Sequence, residues 1–309
     1  MSALLLYFLT IVLMLLVAPL LLSFIKGVKM WLLYKRPVSI WQGYRDFAKL
    51  LRKESVVSRE ASAITRVAPF LVLSPLLVVL FYLPPAVKGA YYVSFVDAFT
   101  ITGLLALSTF FLMLLGLDSA SSFGGMGSSR EAFISALVEP AMVLTIFSVS
   151  MMAGDLGVGQ AGVNLAEHFP AEHMASFLFA AISFFILLIA ENGRIPVDNP
   201  ETHLELTMVH EAMILDITGV YLALIESAAS IKFVIFASLF AGLFLPFGPE
   251  LAWPLALLVF LGKLFAVALA VALIEVHTAK LRLFKVPNLL GIAIVFAFLS
   301  LITFYVLGA

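Results

Sequence analysis

Apolar runs long enough to cross a bilayer recur along the whole of this 309-residue chain, and they decide the solvent in which it can fold. About 20 residues suffice for one crossing. Eight such runs are present, at 3–25, 67–87, 96–117, 132–153, 174–190, 219–246, 253–276 and 287–308. With 63% hydrophobic residues, 12% charged residues and a mean hydropathy of +1.13, the chain is excluded from the water-soluble globules. The first run lacks a basic flank and a small-residue cleavage site, so it is expected to stay as a helix rather than be removed as a signal peptide. The predicted fold class is an all-α integral membrane protein of about eight transmembrane helices, one polytopic domain over residues 1–309.

Charge is distributed unevenly between the loops. Ten of the 18 Lys and Arg fall between Lys26 and Arg66, in the first loop. Arg130, Arg194 and the trio Lys280, Arg282 and Lys285 lie in the third, fifth and seventh loops, whereas the opposite loops hold only Lys88. Positive charge marks the cytoplasmic side, so both termini are expected to face outward. Within the basic loop 26–66, Ile40, Tyr44, Phe47, Ala48 and Leu51 repeat at helical spacing. Gln42, Arg45, Asp46, Lys49 and Arg52 fall on other faces. The pattern predicts an amphipathic helix in the membrane interface, and it fits a generic lipid anchor as well as a docking surface.

The third loop, GLDSASSFGGMGSSREAF, is rich in Gly and Ser. It reads as a tight re-entrant turn packed against a partner, with Ser128 or Ser129 capping the fourth helix. The fifth loop, 191–218, is acidic: Glu191, Asp198, Glu201, Glu205, Glu211 and Asp216 crowd one short stretch. Asn199-Pro200-Glu201 predicts a helix start, which puts Glu201 and Glu205 on one face. Repulsion in a partly desolvated site would raise the proton affinity of at least one of them. His203 and His210 titrate in the same range. Within the membrane, Glu139, Glu226, Lys232, Lys263 and Glu275 are costly to desolvate. Lys232 and Lys263 in particular are expected to face inward onto acidic partners. Lys232 and Glu226 point to different helix faces, so each is expected to pair with another helix. Cysteine is absent, so the chain offers no thiolate for an iron–sulfur cluster, and any redox chemistry belongs to a partner.

Together these motifs resemble one family: the membrane subunit that anchors the peripheral arm of respiratory complex I and of the group 4 membrane-bound nickel–iron hydrogenases. The likeness rests on Ala190, Glu191, Arg194, Pro196, Asp198, Pro200, Glu201, Glu205 and Leu206. Arg130 with Glu139, and Pro37, Gln42, Asp46, Lys49 and Glu54, add to it. His203 stands where the complex I pattern has a second Glu, and the segment from His210 to Gly219 is longer than its counterpart. Those departures, with WQGYRDFAKLLRKE and AKLRLFKVP, resemble the hydrogenase-4 and formate hydrogenlyase branch.

The resemblance implies a subunit of an energy-converting complex in a prokaryotic cell (inner) membrane. It would couple electron transfer in a docked module to proton or sodium movement. No cofactor is expected on this chain; the nickel–iron centre and iron–sulfur clusters would sit on partners. Those partners are a hydrogenase-like large subunit and iron–sulfur subunits on the cytoplasmic face, with antiporter-like subunits in the membrane and no nucleic acid. Glu139, Glu191, Asp198, Glu201, Glu205, Glu211, Glu226, Lys232 and Lys263 are the candidate coupling residues. Gln42, Arg45, Asp46, Lys49, Arg130, Arg194 and His203 are the candidate docking residues, with Arg194 also expected to hold its loop through a carboxylate. The alternatives are a quinone-site subunit of a dehydrogenase and a stand-alone ion-coupled transporter.

Overall fold

The computed structural model describes residues 3–58, 60–83, 97–168, 171–199, 208–248 and 251–307. Lipid offers a backbone no hydrogen-bond partner, so each apolar run closes its own ladder as a helix. In chain order the helices are α1 (Ala3–Leu32), α2 (Gln42–Leu51), α3 (Ile64–Leu80), α4 (Ala98–Asp118), α5 (Ser122–Ala153) and α6 (Val158–Glu167). They continue with α7 (Met174–Glu191), α8 (His210–Ile214), α9 (Val220–Leu243), α10 (Trp253–His277) and α11 (Val286–Leu307). Among the described residues seven are long and apolar enough to cross a membrane, and α3, at 17 residues, is the shorter apolar eighth. The all-α membrane architecture read from the sequence is the one observed.

Helix α9 is the hub. It packs on α1, α2, α3, α7 and α10, and 72% of its apolar window is buried against 22% for α11, which therefore lies at the rim. Where α7 crosses α9, Phe184 meets Phe236, Phe240 and Phe244 in one aromatic cluster. The seam between α5, α7 and α11 is polar instead. Thr145 and Ser183 share a 2.8 Å hydrogen bond, Ser148 and Ser300 one of 2.6 Å, and Ser176 and Thr303 one of 2.7 Å. Ser183 and Ser300 also donate to the carbonyls of Ala293 and Ser176. Small hydroxyl residues let helices approach closely and satisfy one another where no water competes.

The four odd-numbered loops meet at one end of the bundle. The Val56 amide donates to Thr218, the Asp118 carboxylate accepts from Ser62 and Thr65, the Arg130 guanidinium reaches the Met208 carbonyl, and the Leu281 amide donates to the Pro196 carbonyl. The amphipathic helix forms as α2 and rests on α1. Gly43 sits over α1, where a Cβ would lie 2.8 Å from the Pro19 carbonyl oxygen, and its amide donates to Ser23. Tyr44 donates to the Leu16 carbonyl. Ala48 and Leu51, on the apolar face expected to lie in the membrane interface, are exposed on the bundle's surface.

The third loop is corrected. The helix starts at Ser122, capped by Ser121 whose side chain accepts from the Gly124 amide, so neither Ser128 nor Ser129 is the cap. Glycine is a poor helix former, but packing overrides propensity here. A Cβ on Gly124 would come within 2.3 Å of the Gly116 carbonyl oxygen, and one on Gly127 within 2.9 Å of Ala212. The stretch expected to turn against a partner subunit is a helix packed against α4 and α8 of the same chain.

Candidate functional site

The acidic stretch after α7 is not a solvated loop in its first half. Glu191, Arg194 and Asp198 are 6%, 6% and 2% exposed, and Ile195 and Val197 beside them are buried as well. The apolar residues draw the segment into the bundle, and each charged neighbour is compensated. Glu191 ends α7 and its Oε2 lies 2.6 Å from Nζ of Lys232, whose other described bond goes to Thr109 on α4, at 3.1 Å. Lys232 thus meets the expectation of an acidic partner on another helix. Glu139, half-buried on α5, feels the charge of both Glu191 and Lys232.

On the loop side of this pair lies a second one. His210, which opens α8, places Nδ1 3.9 Å from Oε2 of Glu131 on α5. Burial works against the imidazolium, yet the adjacent Glu131 carboxylate outweighs it. With Asp198 helping and Lys232 opposing, the His210 pKa lies above the ordinary 6.5. A partly open pocket of about 20 Å³ touches one residue of each pair, lined by Ser108, Thr109, His210 and Lys232 with apolar residues of α3, α4 and α9.

Asp198 has a full set of partners. Its carboxylate accepts from the amides of Asn199, Val209 and His210 and pairs with Lys280 at 2.6 Å. This is the wiring of a residue that holds a segment in place. Arg194 pairs with Glu275 at 3.4 Å and lies over the Phe233 ring, and Lys29 of α1 reaches the same Glu275 at 3.5 Å. Arg194 therefore holds the loop through a carboxylate, as expected. Its burial keeps the side chain itself from a docking face. Arg130 is likewise half-buried and spent on the Met208 carbonyl.

Other expected site residues fall elsewhere. Lys263 is corrected: among the described residues it has no acidic partner. Its ammonium donates to the Leu245 carbonyl at 2.5 Å and sits 4.3 Å from the Phe247 ring, because α10 at that depth faces the end of α9 and offers a carbonyl and an aromatic face. Glu226 is exposed on α9 and feels Glu211, Lys26 and Asp46, so it belongs to a separate charged group near α2. On α2, Gln42 donates to Asp46 at 2.8 Å while Arg45 and Lys49 are exposed. Glu201, His203 and Glu205, and the helix start expected at Asn199-Pro200-Glu201 beyond Asn199, lie outside the described residues. Among those described, no three His, Asp or Glu side chains converge in a way that could hold a metal ion.

Sequence reasoning passed over Glu131, Glu275 and Lys280 as site residues. Glu131 sits where a solvated helix start was expected, and Lys280 reads as one more basic loop residue. Glu275 was visible as an intramembrane acid, but only its contact with two cations shows its place.

Among the described residues, eight apolar helices enclose buried charge pairs beneath one gathered loop face, the architecture of a multi-pass membrane protein. Comparison with known proteins makes the class specific. The sequence profile of the NADH dehydrogenase family matches residues 10–306, and the chain belongs to this family. It is 33% identical to hydrogenase-4 component C of Escherichia coli (strain K12), over 86% of this chain and 82% of that protein. It is 28% identical to formate hydrogenlyase subunit 4 of the same strain, over 93% and 94%. It is also 27% identical to NADH-quinone oxidoreductase subunit 8 of Rhodothermus marinus, over 70% and 64%. Among solved structures, a chain of the archaeal membrane-bound sulfane sulfur reductase, a respiratory membrane complex, superposes with a TM-score of 0.82. It is 17% identical and covers 97% of this chain and 100% of that one, a likeness of fold.

Proposed function

We propose that this chain is the membrane-arm subunit of a hydrogenase-type energy-converting complex, passing charge changes in a docked redox module to ion movement in the membrane. The observation that carries the reading is the buried Glu191–Lys232 pair, 2.6 Å apart and directly beneath the gathered loops. Two opposite charges in a poorly solvated site cost much to bury and respond strongly to a third charge arriving nearby. The Escherichia coli relatives, matched along most of their length, support the hydrogenase-type partner set: a large subunit with a nickel–iron centre and iron–sulfur subunits. These would rest on the loop face, with antiporter-like subunits alongside in the membrane. The basic charge of the first loop supports a cytoplasmic loop face in a prokaryotic inner membrane, with both termini outside.

In this reading Glu201, Glu205 and Glu211 take up the charge change, and Glu191, Lys232 and Glu139 carry it inward. Glu226 and Lys263 stand apart as candidates for a lateral path. Asp198, Arg194 and Arg130 hold the segment in register. Gln42, Arg45, Asp46, Lys49 and His203 are proposed for docking. The test is Glu191→Gln in the tagged complex reconstituted into liposomes. Ion uptake per electron should collapse while the partners still co-purify with nickel and iron. Full uptake would sink the reading. A quinone-site role is the second reading, favoured by the Rhodothermus relative; quinone extracted with the complex in place of nickel would select it.

A further inference from the structure

We infer that the pocket between His210 and Lys232 is a site for one water molecule that carries protons from the loop-side Glu131–His210 pair to the intramembrane Lys232–Glu191 pair. This rests on the coupling reading above and assigns it an entry point. A pocket of about 20 Å³ holds a single water if two to four polar partners surround it. Four are available here. Lys232 has three N–H donors, of which two go to Glu191 and Thr109, leaving one for the pocket. The hydroxyl of Ser108 is committed as a donor to the Val72 carbonyl at 2.7 Å, so its oxygen is left to accept. Thr109 Oγ1 has a lone pair beyond the one that Lys232 uses. His210 borders the pocket and turns Nδ1 to Glu131, so Nε2 is the ring nitrogen left to serve it. The rest of the lining is apolar, contributed by residues such as Leu76, Ile225 and Ala228, so the polar groups alone fix where the water sits.

The proton bookkeeping closes. When negative charge leaves the loop side or arrives on the membrane side, the ammonium of Lys232 gives its proton to the Glu191 carboxylate, and both become neutral. The Lys232 amine accepts a proton from the water, and the water takes one from Nε2 of the His210 imidazolium. One proton has then moved from His210 to Glu191. His210 is left neutral, to be recharged from the loop, with Glu131 holding the ring and stabilising its charged form. The charged groups that face this ring are Glu131 on α5, Lys232 on α9 and Asp198 in the segment between α7 and α8.

The test uses two variants, one that fills the pocket without touching a titratable group and one that removes the proton carrier. Ala228→Val adds two methyl groups to the pocket wall, and His210→Gln removes the proton carrier while keeping a polar side chain. Each complex is purified, checked for co-purifying partners and reconstituted, and ions moved per electron are compared with Glu191→Gln. Both variants should lower the ratio at least about tenfold, the scale on which a positioned proton carrier acts. If both pump as wild type while Glu191→Gln does not, the water relay is wrong and the coupling reading stands. If all three pump normally, both fall. Should Ala228→Val fail to assemble, Ser108→Val, which removes one of the hydroxyls that would hold the water, carries the same test.

Discussion

Lys232 shows what a single buried charge demands. Removing one partner of a buried ion pair leaves the other uncompensated and costs about 3–5 kcal/mol, whereas neutralising both together is often tolerated. Lys232→Met should therefore lower the melting temperature of the purified complex sharply. The double variant Lys232→Met with Glu191→Gln should recover most of that loss without recovering ion transport, and scanning calorimetry beside uptake assays separates the two. His210 makes a different prediction. Its folded pKa is raised, so its contribution to stability is complete below the unfolded imidazole value of about 6.5 and is lost as pH climbs through the higher folded value. Thermal stability should fall as pH rises from about 6.5 in the wild type, and the fall should vanish in Glu131→Gln; an unchanged pH profile in that variant would discount the contact. At this scale sequence reasoning named Lys232 and Glu191 without being able to join them, since cost identifies a buried charge but not the helix that answers it. Lys263 shows the limit of that logic, for a carbonyl and an aromatic ring answer it as well as a carboxylate would.

Helices were the most legible elements, because twenty apolar residues have few alternatives in lipid. Their ends were less so. Helix α5 runs ten residues past the apolar stretch that announced it, through glycines and serines that resemble a loop in composition. What makes them helical is contact with α4 and α8, and contact at a distance in sequence leaves no periodic trace. Gly127→Val should consequently destabilise by about 1–3 kcal/mol through overpacking against Ala212 and Met213. It should also displace α8 and with it His210, so that reduced heat stability accompanies reduced coupling. Retention of both would mean that the α5–α8 contact is looser than described. The seat of α2 on α1 was hidden for a related reason: the tightest approach is made by Gly43, which has no side chain to count.

On the scale of the whole molecule, the charged loops separate into two kinds. The segment after α7 is drawn into the bundle and spent on internal pairs, while Arg45 and Lys49 of α2 remain outside. Docking should then depend on α2 more than on Arg194 or Arg130. Arg45→Glu together with Lys49→Glu should weaken recovery of the peripheral partners in a pull-down, more at low ionic strength than at high, and leave the membrane chain itself folded. Undiminished recovery would move the seat to other loops. Composition and charge asymmetry announced this face from the sequence, but which of its charges turn inward depended on the fold.

The ties from Asp198 to Lys280 and from Pro196 to Leu281 have a mechanical consequence. The strand of chain after α7 is stapled to the hairpin between α10 and α11, and through Arg194 and Glu275 to the foot of α10 itself. Such a segment does not open like a flap. Any displacement of it has to break those ion pairs or carry the foot of α10 along with it.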